Sequence, residues 1–400
     1  MQTTFLREND PGTPVGPEAP EAQPRDRRGV ALVTALFGMV VLAVIISGVF
    51  FTSTQEYRGG RNELVEQRSF AVAEYGLNSA ISNWPRARNL PGGMAVGAID
   101  SSQIFVASGD TERVKVTRLN DNSFWVVSEG QANMGNTTLL ARRQNAAYVR
   151  IAYPSIVPKG AITAAGDVSL SGSAMIDGTN HDPNGWSQCA AIPGSTVPGV
   201  VVPPGDTVKY LPQNILSTPA VVYDPTAADS NTYVRYGTES WNSLVANADI
   251  KLPGGQYGQD IFPVGTATTC DRSQPLNWGE PNRPGAVAGC YNYYPIIYSA
   301  TSLKINGNGY GQGILLVNGD LEINGTFSFY GLIIARDDVN KGNGDATVYG
   351  SILAANVNLG DPSVFNGNKD VFYSKCAVES VLRGSAILTR VVQRGWAQVY

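Results

Sequence analysis

The 400-residue chain holds a single histidine, and only 16% of its residues are charged. It is thus short of the side chains most often used for proton transfer. His181, in GTNHDPNGW, has no second histidine and no obvious nucleophile beside it, and reads as a loop residue. No G-x-S-x-G, Walker, Rossmann or zinc motif is present. There are four cysteines, none in a C-x-x-C pair, which argues against zinc. The net charge of −4 gives no electrostatic footprint for nucleic acid. DDVNKGNGD at 337–345 looks superficially like a calcium loop, but Gly342 stands where an oxygen side chain is needed, so it reads as a solvated turn. Asp320 and Glu322 are candidates for the paired carboxylates of a carbohydrate-active repeat fold. They sit two apart on one strand, where corner and surface roles suffice. The chain therefore reads as a non-enzyme with no metal and no cofactor.

What the chain does have is one long apolar run. Residues 30–52, VALVTALFGMVVLAVIISGVFFT, are 23 consecutive uncharged residues placed directly after Arg25-Asp26-Arg27-Arg28-Gly29. A helix of that length, at about 1.5 Å per residue, crosses a hydrocarbon core of roughly 30 Å. Its only polar side chains are Thr34, Ser47 and Thr52. No small-residue cleavage site follows the run, as one would in a secretory signal peptide. The order suits a peptidase that cuts before the apolar segment, at Gly29, and leaves that segment on the mature protein. An ordinary signal anchor is the alternative. Residues 1–29 are polar, with PGTPVGPEAPEAQP inside them, and are expected to be disordered. Arg25, Arg27 and Arg28 place this end in the cytoplasm and the body beyond the inner membrane.

The string from Arg27 to Ile81, with Ala71, Ala73, Glu74 and Gly76 in its second half, resembles the start of a type IV pilus minor pilin of the PilX assembly-protein type. That resemblance implies processing by a prepilin peptidase after Gly29, N-methylation at Val30, and packing of the helix against other pilin subunits in a filament. Major pilins carry a glutamate five residues into the mature chain, and here that position is Thr34. An unpaired carboxylate in lipid costs about 2.5–3.5 kcal/mol. A subunit without it escapes that cost and cannot pair with a neighbour's terminal amine, which points to a low-abundance subunit at or near a tip. The same organisation fits a minor pseudopilin of type II secretion. A membrane-anchored carbohydrate-active solenoid is a third, distant reading.

The fold expected is α+β. The helix should continue past Ser53 to about Trp84, with Phe70, Val72, Ala73, Leu77, Ala80 and Ile81 as its apolar stripe, so that 30–88 form a transmembrane and amphipathic helix. Gly59-Gly60 interrupts that pattern, as a weak spot or a hinge. QIFVAS, RVKVTRL, SFWVVSEGQA and TLLARRQNAAYVRIAY read as antiparallel strands, giving a pilin-like sheet over 89–152.

Glycines fall at the same offsets in two distant segments: Gly160, Gly166, Gly172, Gly178 and Gly313, Gly319, Gly325, Gly331. The pattern continues from Gly331 and from Gly350, with a period of 18 to 19 residues. Such periods, each with a strand-length apolar run, indicate a β-solenoid, with an irregular β-sandwich as the alternative. The first rung would be 153–178 and the later rungs 301–375, separated by a loop-rich, disulfide-pinned insertion at 179–300. The four cysteines, an even number, read as two disulfides. Three pairings are possible. The short loop favours Cys270 with Cys290, which leaves Cys189 with Cys376. Tyr257, Trp241, Trp278, Tyr291, Tyr293 and Tyr294 either fill a small core in the insertion or form an adhesive surface. Residues 376–400 read as a C-terminal helix, from helical spacing in 377–394, and a cap. What the head contacts, whether a surface or DNA, is not legible.

Overall fold

The computed structural model describes residues 30–105, 110–134, 138–340, 344–354, 363–366, 369–390 and 396–399. The chain divides into two compact units, 1–64 and 65–400. The architecture is α+β, with one long apolar N-terminal helix and several β-sheets.

Helix α1 is Val30–Ser82. It stays helical through Gly59-Gly60, where the sequence pattern broke. Two glycines cost about 1 kcal/mol each, but good helix formers flank them and propagation needs no new nucleus. The helix ends just before Pro85, as the sequence led one to expect.

In the second unit, the turns of α1 from residue 65 onward pack on an antiparallel sheet. Its strands are β1 (Ile99–Phe105), β2 (Thr111–Asn120), β3 (Ser123–Met134) and β4 (Thr138–Ala152), in that order. β2 and β3 alternate as the pleat demands, so Val114, Val116, Phe124 and Val126 point inward with Leu77 of the helix. Trp84 meets Phe124 edge to face at 4.9 Å. Leu77→Ala is expected to cost about 2–5 kcal/mol, as for other buried leucines. A shift of the denaturation midpoint in the detergent-solubilised full chain would show it. No measurable shift would mean that Leu77 does not anchor the helix.

Within the run 377–394, read above as helix, residues 387–390 differ in the structure. The C-terminal helix is Lys375–Gly384 alone. Ile387–Arg390 is a strand that pairs antiparallel with β4, Ile387 opposite Ala152, and Trp396–Val399 also pairs with β4. The run ILTR is rich in residues that favour strands, and an unpaired edge on β4 offers it a ladder. Residues 391–395 lie outside the described residues.

Most of the remaining strands form parallel ladders. Leu315, Ile333, Ile352 and Ile162 lie side by side in successive strands, all parallel. The step is 18 residues from Leu315 to Ile333 and 19 from there to Ile352. The 160–178 segment thus stacks directly on the segment that begins at Gly350, although almost 200 residues separate them in sequence. A second ladder runs through Gly255–Tyr257, Leu303–Ile305, Leu321–Ile323 and Val339–Asn340. Phe327, Phe329, Leu321 and Ile333 fill the space between the ladders.

Residues 179–300, expected to project as an excursion, also supply ladder strands. Val200–Val202 and Val221–Tyr223 extend one end, and Ile296–Ser299 and Ile250–Leu252 the other. Each is a short valine- or isoleucine-rich run without the spaced glycines, so the glycine period did not reveal it. The C-terminal helix lies over the outer side of the central strands, with Val381 against Gly331. Ser374 caps it by accepting a hydrogen bond from the Ala377 amide at 3.1 Å.

Candidate assembly segment

Residues 30–52 are apolar on every side of the helix, and none of the side chains there is buried in its own unit. Phe37 is 70% exposed and Phe50 74%. A helix that is hydrophobic all round belongs in a membrane or inside a bundle of other helices. The polar side chains leave no donor unmet. Thr34 Oγ1 donates to the Val30 carbonyl at 3.0 Å, Ser47 Oγ to Ala43 at 2.7 Å and Thr52 Oγ1 to Val49 at 3.0 Å. In an apolar surrounding, each unpaired group would cost free energy that these local bonds remove. Thr34 therefore sits in the helix as a neutral, internally bonded residue. Val30 is its first described residue, and Gly29 lies outside the described residues.

The other candidates from sequence are structural in their contacts. His181 Nε2 lies 2.8 Å from Asp177 Oδ2 and 3.1 Å from Thr179 Oγ1, and its ring packs against Phe372. Burial works against the charge on Asp177, but hydrogen bonds from Thr179 and His181 hold its carboxyl below the ordinary value. Glu322 pairs with Lys304 at 2.8 Å, and Asp320 Oδ1 accepts from the Asp338 amide one rung on. Part of the 337–345 turn, including Gly342, falls outside the described residues.

Disulfides join Cys270 to Cys290 and Cys189 to Cys376, with Cα separations of 4.8 and 5.2 Å. Asp182 approaches the second pair, but those two sulfurs are spent on each other and offer no thiolate to a metal.

Of the two readings of the aromatic set, core or adhesive surface, four of the six residues take the core one. Trp278 is 1% exposed and Tyr294 0%, and Trp241 and Tyr293 are also buried. Trp278 stands edge-on to Phe327 at 5.7 Å and so closes the interior between the ladders. Tyr257 and Tyr291 are half-buried. Sequence reasoning missed a different feature, the Arg283 guanidinium over the rings of Trp186 and Tyr291, at 4.5 and 5.2 Å. Arg283 also donates to Gln188 and Tyr294, tying the 280s loop to the segment that bears Cys189.

No protein-family model matches the chain, and neither does any curated protein sequence. Among solved structures, the competence-associated pilin ComZ from Thermus thermophilus is similar over 84% of this chain and 97% of that one, at 10% identity and a TM-score of 0.22. This is a weak likeness to a type IV pilin-like protein, and too loose to carry an argument beyond the residues themselves.

Proposed function

We propose that the chain is a minor pilin-like structural subunit of a type IV pilus, of the PilX type, held at or near the tip, and that it performs no catalysis. One observation carries the reading: an uncharged, wholly exposed helix of about 35 Å begins at Val30, immediately after a basic stretch and Gly29. Before assembly it spans the inner membrane once, with residues 1–29 in the cytoplasm and the rest outside. A prepilin peptidase removes the leader after Gly29, and Val30 becomes the methylated amino terminus. The helix then leaves lipid for a filament core made by the helices of other pilin subunits, an environment equally apolar. The stacked parallel ladders are a β-solenoid head, which is presented outside the cell to a surface or to DNA. Thr34, bonded within its own helix turn, has no carboxylate to offer a neighbour's terminal amine, which suits a rare subunit over a repeating one. The same processing and anchoring would also fit a minor pseudopilin of type II secretion.

Amino-terminal sequencing of the protein from sheared surface filaments tests the proposal. The expected result is a start at Val30 in the filament fraction. A chain that begins at Met1 and stays with the membrane would overturn it.

A further inference from the structure

The contact between α1 and the sheet is not uniform along the helix. Toward Trp84 it is apolar: Leu77 and Trp84 meet Val116, Phe124, Val126 and Val149. Toward residue 66 it is polar. Glu112 and Gly130 are cross-strand partners, as are Ser128 and Asn145, and all four lie under the helix. A methyl on Gly76 would lie 2.7 Å from Glu112 Oε2 and would clash with Ser128 Oγ, so the helix backbone rests almost directly on those oxygens. Glu112 is 1% exposed, and Ser128 and Asn145 are fully buried. Glu112 Oε2, Ser128 Oγ and both amide atoms of Asn145 have no hydrogen-bond partner. Docking takes these groups from water and gives them nothing in return, which opposes it.

Two ion pairs hold the helix over this patch. Glu66 meets Arg143 at 2.6 Å, and Arg68 meets Asp110 at 2.6 Å. Both involve a partly exposed side chain, so water and salt screen them. Few apolar side chains help, Val72 and Ala73 being the buried ones.

We propose that residues 66–76 of α1 are a releasable clasp: they lift from β2, β3 and β4 while residues 77–84 stay docked, and the uncompensated Glu112–Ser128–Asn145 patch sets how readily they lift. Release returns those polar atoms to water and costs the apolar contacts of Val72, Ala73 and the half-buried Phe70. The inference stands on the docked geometry and holds whether or not the filament reading does.

The pH dependence has a definite sign. Burial raises the Glu112 carboxyl above its ordinary value. The charged groups facing it are Glu66 and Arg68 from the helix, Arg143 from β4 and Asp110 ahead of β2, and these sit in the two ion pairs. β3 presents only Ser128 and Gly130 there, and Glu129 is engaged on the other face with Arg142 and Gln144. With its value raised in the docked state, the docked helix binds more protons than the released one. Docking is therefore fully favourable below the ordinary carboxylate range, near 4.3, and weakens as pH climbs toward the raised value.

Hydrogen exchange of the detergent-solubilised full chain, at pH 4.5 and pH 8 and corrected for intrinsic rates, tests this. Amides of 66–76 should exchange faster at pH 8 than at pH 4.5, because protons held more tightly in the docked state are lost over that interval and the docked population falls with them. Amides of 77–82 should not change. Glu112→Gln, which keeps the shape and removes the charge, should flatten the pH response and slow exchange at pH 8. Equal protection from 66 to 82 in the native chain would overturn the proposal, and that comparison needs no variant to fold. An unchanged pH response in Glu112→Gln would also overturn it.

Discussion

Gly331→Ala should destabilise the head by roughly 2–6 kcal/mol, although it adds a single methyl group. Two independent causes add at this residue. Its φ is +139°, which L side chains rarely adopt. Its Cβ would also press into the carbonyl of Gly313 in the neighbouring strand and into Val381 of the C-terminal helix. Gly313, Gly331 and Gly350 occupy the same place in consecutive strands, so the obstruction falls on a repeating contact. The carbonyl cannot retreat without breaking the parallel ladder on which the next strand depends. Gly97→Ala supplies the comparison. Its φ is +83°, but an added methyl there meets nothing within 4 Å, so it carries the backbone strain alone, about 1–2 kcal/mol. Urea midpoints of the two variants separate the causes. If Gly331→Ala is no less stable than Gly97→Ala, the cross-strand contact contributes nothing and the glycine period reflects backbone conformation only.

That period shows what the sequence could and could not disclose. Gly313, Gly331 and Gly350 are legible because a packing demand repeats with each strand and leaves one residue type that meets it. The stacking of 160–178 on the strand at Gly350 depends on which separate pieces meet in space, and no local pattern encodes that choice. The strands within 179–300 escaped notice for a related reason. A run of three residues such as Val200–Val202 has no period of its own and becomes a strand only when a partner ladder is present. Ile387–Arg390 was misread because helical spacing and a short strand look alike over so few residues. For the apolar helical run the position is reversed. An unbroken apolar run needs no tertiary context, so residues 30–52 declared themselves fully. The polar patch under 66–76 could not be seen, because Glu112 lies in an ordinary alternating strand and its burial follows from which helix turn crosses it.

Replacing Cys189 and Cys376 together by serine should cost about 5 kcal/mol. The disulfide closes 187 residues, and in the chain-entropy model the freedom withheld from the unfolded chain grows with the logarithm of that number. The Cys270–Cys290 bridge closes only 20 residues and should be worth nearer 3 kcal/mol by the same model. Location widens the difference. Cys376 opens the C-terminal helix, whose Val378, Val381 and Leu382 cover the outer side of the central strands. Cys189 lies in the segment that Arg283 ties to the 280s loop. Cutting this bridge frees the helix to leave and exposes Leu332, Ile334 and Leu353 beneath it, which should appear as binding of a hydrophobic dye before global unfolding. Cleaving the Cys270 bridge should produce no such signal. The order of chemical attack should be the reverse of the order of importance, because Cys270 is partly exposed whereas Cys189 and Cys376 are both buried. Graded reductant followed by alkylation should label Cys270 and Cys290 first, with the head still folded. Labelling of Cys376 should coincide with loss of the fold. If Cys376 is labelled first, or if the double serine variant unfolds at the same denaturant concentration as the native chain, the bridge is not what holds the C-terminal helix in place.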